Sequence, residues 1–374
     1  MKLLMLSGDR DVAIGRKGPF HATLQGLAAE FERIDVLTPR TTDPSKATPH
    51  PGVFVESSPV SRIRQSAWLR RRGGELIHSQ SHDLIVSHDY GIFSNGRAAS
   101  HLSQTFDVPY VSEIHHVPGH PQRAQWWEPL AQLLCRIYVA RVARHAVAIR
   151  VVNQHEMPLL LSRWGVVTER ILVLPSVYID RSVFQPATAV RKFSLGFVGR
   201  LVANKNLPYV ADVFASVATH SPTAQFVVVG HGPERGAFRR RLLRLGILDR
   251  VTFVEWLNNT HEMATLYRSM DALLTPSLSE GGPRVCLEAM ACGTPVFATR
   301  VGIMPDTIDH GTNGWLLPWS AAAGSSVVTD ILKTPERLKS AGQAASISTV
   351  PFEKSNVLNT YATTYRQMAT ASSL

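Results

Sequence analysis

Two doubly wound α/β units facing each other are the fold class this sequence predicts, and three observations predict it. Short apolar runs recur, each ending in glycine, proline or polar residues and followed by a helix-like stretch; the series restarts once in mid-chain; and 374 residues exceed what one hydrophobic core usually grows to. Residues 2–6 (Lys-Leu-Leu-Met-Leu) are nearly continuous in apolar character, as a parallel strand buried on both faces requires, and stop at Ser7-Gly8. A loop punctuated by Gly15, Gly18 and Pro19 leads into helical spacing over 20–31 and a second strand over 33–37, a βαβ unit. Further strands are expected at 84–87, 110–114 and 148–152. The second series is expected at 193–198, 225–229, 251–254, 272–275 and 295–298. Between them, residues 174–186 carry two prolines and polar interruptions and mark the linker. The expected division is therefore 1–182 and 183–351, followed by a last helix over about 352–374. In sheets of this kind ligands lie beyond the carboxyl ends of the strands.

Composition narrows the class. Apolar residues make up 44% and charged residues 18%, which excludes a disordered or fibrous chain. No stretch reaches the ~20 apolar residues that span a bilayer, and the apolar run after Met1 is too short for a secretory signal. The three cysteines, Cys135, Cys286 and Cys292, lack metal-ligand spacing and read as reduced and structural, so the cytoplasm is the expected location. Net charge is +10, from 21 basic against 16 acidic residues up to Arg181 and 18 against 13 after it, so each half carries +5. Such a surplus favours nucleic acid, anionic lipid or phosphorylated substrates as partners.

The most informative segment runs from Ser279 to Val296. Gly281 and Gly282 let the backbone approach a ligand, Pro283 suits a helix start, and a helix over about 284–291 aims the amides of Arg284, Val285 and Cys286 at an anion. Glu280 lies in the loop before that helix and Glu288 near its end, so the two carboxylates grip separate hydroxyls of one elongated ligand. With Gly293-Thr294-Pro295 following, the segment resembles the retaining GT-B glycosyltransferases marked by Glu-x7-Glu, family 4 of the sequence-based grouping.

Other positions extend the resemblance. Gly199-Arg200, followed by Lys205, is similar to the family's strand-turn motif, and fixed cations there suit a leaving diphosphate that gains charge. Gly230-His231-Gly232-Pro233 resembles the turn that borders the nucleotide. Glu255 stands where the family usually has glycine, and Gly302-Ile303 with Asp306 replaces Gly-Gly with glutamate. In the first half, the loop of Gly15 and Gly18 occupies the place of the glycine loop near the donor phosphates. His115 ends the strand that carries the family's histidine near the transferred sugar, with His116 as the reserve, and Ser87-His88-Asp89-Tyr90 resembles a second strand-end motif.

The resemblance implies an acceptor-side first domain, a donor-binding second domain, and a last helix that crosses back to the first. It implies retaining transfer of a hexose-type sugar from a nucleotide sugar to a hydroxyl acceptor, a glycan or lipid-linked saccharide of cell-envelope polysaccharide synthesis. His115, Glu280, Arg200 and Lys205 would be catalytic. Gly15, Gly18, Gly199, Gly230, Gly281, Gly282, Arg284, Val285, Cys286 and Glu288 would bind the donor. Neither a metal nor a cofactor beyond the donor itself is expected. The alternative is a non-catalytic nucleotide-sugar or carbohydrate-binding protein of the same fold; a dehydrogenase is disfavoured by the single glycine after the first strand. Nucleic acid is not an expected partner, since no recognition module is present. Arg62, Arg64, Trp68, Arg70, Arg71 and Arg72 form a basic segment with an aromatic anchor, suited to the anionic inner face of a membrane.

Overall fold

The computed structural model describes residues 1–41, 46–257 and 259–370. In the first half, β1 (Lys2–Leu6), β2 (Arg33–Thr38), β3 (Lys46–His50), β4 (Val53–Ser57), β5 (Leu84–His88), β6 (Tyr110–Glu113), β7 (Ala148–Val151) and β8 (Ile171–Val173) form one sheet. Their spatial order is β3-β4-β2-β1-β5-β6-β7-β8, and every pairing is parallel except β3 with β4. The second half contributes β9 (Phe193–Val198), β10 (Phe226–Val229), β11 (Val251–Val254), β12 (Met270–Thr275), β13 (Val296–Thr299) and β14 (Gly314–Leu317), all parallel in the order β11-β10-β9-β12-β13-β14.

Burial on both faces explains the near-continuous apolar strands. Leu3 and Met5 of β1 enter one core and Leu4 and Leu6 the core on the opposite face. The same alternation splits β10, with Phe226 and Val228 on one side and Val227 and Val229 on the other. Strand order reverses between β1 and β5 in the first sheet and between β9 and β12 in the second. These are the crevices that doubly wound sheets use for ligands.

Three strands of the first sheet, β3, β4 and β8, and β14 of the second, go beyond the expected set. β3 is an antiparallel edge strand containing Pro49, β8 has three residues, and β14 lies in a stretch whose glycines read as a turn. The last helix runs over Lys354–Thr370, two residues later than expected because Val350–Phe352 form a separate turn, and the end of its expected span, 371–374, lies outside the described residues. Its buried stripe, Val357, Leu358, Tyr361, Ala362 and Tyr365, joins the core of the first half and packs on the helix Pro19–Ala28. Burying a side chain such as Leu358 contributes roughly 1.5–3 kcal/mol. The linker is tied to the start of this helix, the Ile179 amide donating to Phe352 O (2.7 Å) and the Lys354 amide to Ile179 O (3.0 Å).

Candidate active site

A cavity of about 600 Å³ lies between the two sheets. The first half supplies Ser7 and Gly8 from the end of β1, His88 and Asp89 from β5, and His115 and His116 from β6; Gly282 and Arg284 enter from the second half. Closure here is tight. A Cβ at Gly281 would lie 2.6 Å from the His115 carbonyl oxygen, so the loop after β12 meets the end of β6 only because residue 281 has no side chain.

On the second half, Lys205 and Glu280 form a mostly buried ion pair, and the Ser277 hydroxyl also donates to Glu280. Sequence brings the pair together through a clamp: the Asn204 side chain donates to Ser279 O (2.9 Å), and the Leu278 amide to Asn204 O (2.8 Å). Arg200 stands exposed after β9 and, among the described residues, has no carboxylate partner. Gly199 and Gly230 end adjacent strands; with φ of 131° at Gly230, a Cβ there would strike the Gly199 carbonyl at 2.0 Å. The helix Arg284–Ala291 begins after Pro283, as expected. The amides of Arg284 and Val285 make no hydrogen bond among the described residues, but that of Cys286 donates to Pro283 O (3.0 Å). The expected triplet of free donors is therefore a pair, because the chain tightens into a 3₁₀-like first turn.

Glu288 is separated from Glu280 and accepts from the Tyr267 hydroxyl (2.9 Å). Burial pushes its carboxyl up to about 7, opposed by that hydroxyl and by the Arg284 guanidinium. Arg284 itself lines the cavity and lies over the Tyr178 ring of the linker, 4.9 Å from its centroid. Gly15 and Gly18 occupy the loop before the helix Pro19–Ala28, Gly15 in a left-handed turn and Gly18 at the N-cap. Neither lines the cavity, which Pro19 and Phe20 reach instead.

His115 is oriented by a group that motif reasoning missed. Its Nε2 lies 3.2 Å from Glu113 Oε2, and Glu113 is buried against Arg150 (2.7 Å), with His88 at 3.4 Å and a hydrogen bond from Tyr365 of the last helix. Burial alone would raise the Glu113 carboxyl, yet the Arg150 guanidinium and then His88 hold it well below the usual carboxylate range. An ionised carboxylate only accepts, so His115 Nε2 donates the proton. Arg150 is fixed in turn by Leu174 O (3.0 and 2.8 Å) and the Tyr361 ring (4.2 Å to its centroid). Beside it, burial lowers His88 to about 4 and raises Asp89 to about 7, the latter against hydroxyls of Ser112 (2.5 Å), Tyr138 (2.7 Å) and Ser87 (2.8 Å). His116 is lowered by desolvation first and then by His115 and Arg200, with Glu280 opposing, which places it between the two halves.

Two further contacts join the halves. Glu156 accepts from the Gly302 amide (2.7 Å), and Asp306 accepts from the Gln154 amide (2.6 Å) and pairs with His155 (2.5 Å). Asp306, which departs from the family pattern in sequence, thus has a partner on the facing half. One Asp-x-Asp spacing follows β1, at Asp9 and Asp11. Asp9 accepts from the Val12 amide (3.1 Å) and Asp11 pairs with Arg16 (3.5 Å). Among the described residues no group of three or more His, Cys, Asp or Glu converges as metal ligands.

The basic segment is a different matter from its expectation. Trp68 and Leu69 are buried, Trp68 at 5% exposure, because the helix Gln65–Gln80 packs that face on the sheet. Arg72 is spent on Glu56 (2.9 Å) and Glu75 (2.8 Å). Arg62 turns to a second recess of about 320 Å³ with Arg10 and Arg40, which shares Gly8 and Tyr90 with the central cavity. The aromatic anchor of the proposed membrane segment is therefore not at the surface. No helix among the described residues is long and apolar enough to cross a membrane.

Two facing α/β sheets with glycines at the strand ends, and an ion pair of Lys205 with Glu280 at the reversal point of the second, fit the GT-B class of glycosyltransferases. Residues 179–347 match the family described as Glycosyl transferases group 1, and residues 20–176 the Glycosyl transferase 4-like domain; the chain belongs to this glycosyltransferase family. It is 27% identical over 374 aligned positions to D-inositol 3-phosphate glycosyltransferase of Corynebacterium jeikeium, covering 85% of each chain. It is 31% identical to 2-deoxystreptamine glucosyltransferase of Streptomyces kanamyceticus, over 76% of this chain and 79% of that one. In fold it resembles sucrose-phosphate synthase of Thermosynechococcus elongatus (TM-score 0.81, 20% identity, 98% of both chains). It also resembles Anabaena HepE, solved with UDP-glucose (TM-score 0.75, 20% identity, 98% of this chain and all of that one).

Proposed function

We propose that the protein is a retaining, metal-independent hexosyltransferase that takes its sugar from a nucleotide sugar held mainly by residues 183–351, while residues 1–182 and the last helix hold the acceptor. The observation that carries this reading is the Lys205–Glu280 pair beside the free amides of Arg284 and Val285, at the reversal point of the second sheet. Arg200, Lys205 and those amides would neutralise the leaving diphosphate, worth about 2.7–4 kcal/mol of barrier per well-placed donor. Glu288 would accept from the ribose hydroxyls and Glu280 from the sugar, with His115 and His116 near the reacting carbon. The acceptor oxygen bonds to that carbon on the face from which the carbon–phosphate oxygen bond breaks, and the acceptor's proton passes to the diphosphate.

The recess of Arg10, Arg40 and Arg62 opens beside the same cavity, and among the described residues none of the three pairs with a carboxylate. This supports an acceptor that carries a phosphate or another anionic group next to its hydroxyl, such as a lipid-diphosphate saccharide. A relative named for inositol 3-phosphate is consistent with that chemistry.

The test supplies UDP-, GDP- and ADP-hexoses with phosphorylated and neutral hydroxyl acceptors and follows nucleoside diphosphate release in the presence of EDTA, with the product's anomeric configuration read by NMR. Transfer to a phosphorylated acceptor with retention supports the reading. Binding without transfer across the whole panel, with Glu280→Ala silent, would establish the non-catalytic alternative.

A further inference from the structure

The helix Glu128–Arg141 buries only part of its surface. Cys135, Tyr138 and Val139 face the core, whereas Leu130, Leu133, Leu134 and Ile137 stay exposed at the i, i+3, i+4, i+7 spacing of one helical stripe, Leu130 at 61%. Trp126 and Trp127 precede the helix, and Trp126 is 90% exposed. A contiguous apolar face of this kind marks an interaction surface.

The formal charge carried by this segment has one outward sign. Between residues 118 and 146 the basic groups are Arg123, Arg136, Arg141 and Arg144, and the only carboxylate is Glu128. Glu128 is buried and accepts from the Ala124 (2.7 Å) and Gln125 (3.0 Å) amides, so it offers no charge outward. Arg141 continues the stripe one turn beyond Ile137. There it joins Arg97, His101 and His145 in a shallow recess of about 270 Å³ that has no carboxylate in its wall.

We propose that this face docks on an anionic lipid bilayer. The tryptophans and the leucine stripe enter the interfacial layer, where amphipathic rings and apolar side chains are favoured, and the arginines at the stripe's end meet lipid phosphates. A second copy of the chain fits less well: a two-fold contact sets the face against itself and brings like charges together without carboxylates to pair them. The loop from His116 to Trp127 leaves the end of β6, and its Gln122 amide donates to Leu278 O of the second half (3.1 Å). The docked face is thus one loop away from the cavity.

Flotation of the full chain with phosphatidylcholine vesicles, and with vesicles containing phosphatidylglycerol, tests this without any turnover. Binding to the anionic vesicles at low salt is expected, weakened by high salt and at least tenfold weaker in Trp126→Ser/Leu133→Ser/Ile137→Ser and in Arg97→Ser/Arg141→Ser. Arg70→Ser/Arg71→Ser should bind as the parent does, and nucleotide-sugar binding should be unchanged in every variant, showing that each folds. No binding at low salt overturns the proposal, as does loss of binding only in the Arg70/Arg71 variant. Sedimentation showing a dimer that the triple variant abolishes, without vesicle binding, assigns the face to a second copy instead.

Discussion

Glu288 has a carboxyl that burial raises to about 7, so below that pH it is neutral and donates one proton, and above it accepts at both oxygens. If it grips the donor's ribose hydroxyls, affinity should rise with pH. Charge-assisted hydrogen bonds exceed neutral ones by about 1 kcal/mol or more, so donor binding should tighten about tenfold between pH 6 and 8. Calorimetric titration of the nucleotide sugar across that range checks it. Glu288→Gln should bind weakly with a flat profile; a parent profile that is flat or falls with pH would rule the role out.

Among elements, the last helix illustrates what can be read in a sequence and what cannot. Both the helix and its return to the first half were expected from the family resemblance. Its chemical contribution was hidden: Tyr365 meets Glu113 across 252 residues and Tyr361 stacks on Arg150, contacts for which no local spacing exists. Buried strands were legible because both faces are apolar, while β3, β4, β8 and β14 were not, being an edge with proline, a strand with Phe54 exposed between buried valines, a three-residue strand and a glycine-rich turn. Motif spacing likewise singled out Glu280, Lys205 and His115 as candidates, but an amphipathic reading of the basic segment could not tell that Trp68 faces the core. The Glu113–Arg150 pair predicts a measurable asymmetry. Arg150→Met leaves a buried carboxylate unpaired and should cost about 3–5 kcal/mol in denaturant unfolding, and adding Glu113→Gln should restore part of that. Equal stability of the single variant and the parent would show that Glu113 is not held as an ion in the core.

At the scale of the whole molecule, the halves are joined where Glu156 meets Gly302 and Asp306 meets His155. Burial raises the Glu156 carboxyl to about 8, whereas an unfolded glutamate titrates near ~4.3. Between those values the unfolded chain binds fewer protons than the folded one, so stability falls as pH rises and levels off above about 8. Tm should therefore decline from pH 5 to 8 in the parent and decline less in Glu156→Gln. The same slope in both would mean that this carboxyl is not buried between the halves.

The +10 charge, which left several partner classes open in the sequence, is found in part at Arg200 and Lys205 by the strand ends of the second sheet, in an arginine-lined recess and along the flank of an exposed apolar helix. The central claim concerns the first of these. Calorimetric titration of UDP-, GDP- and ADP-hexoses into the parent protein and into Lys205→Ala tests it most directly. One nucleotide sugar should bind the parent, and Lys205→Ala should lose at least tenfold in affinity, about 1.4 kcal/mol, while remaining folded at the temperature of the titration, as its circular dichroism checks. Binding of none of them to the folded parent, or equal binding to both proteins, would contradict the account.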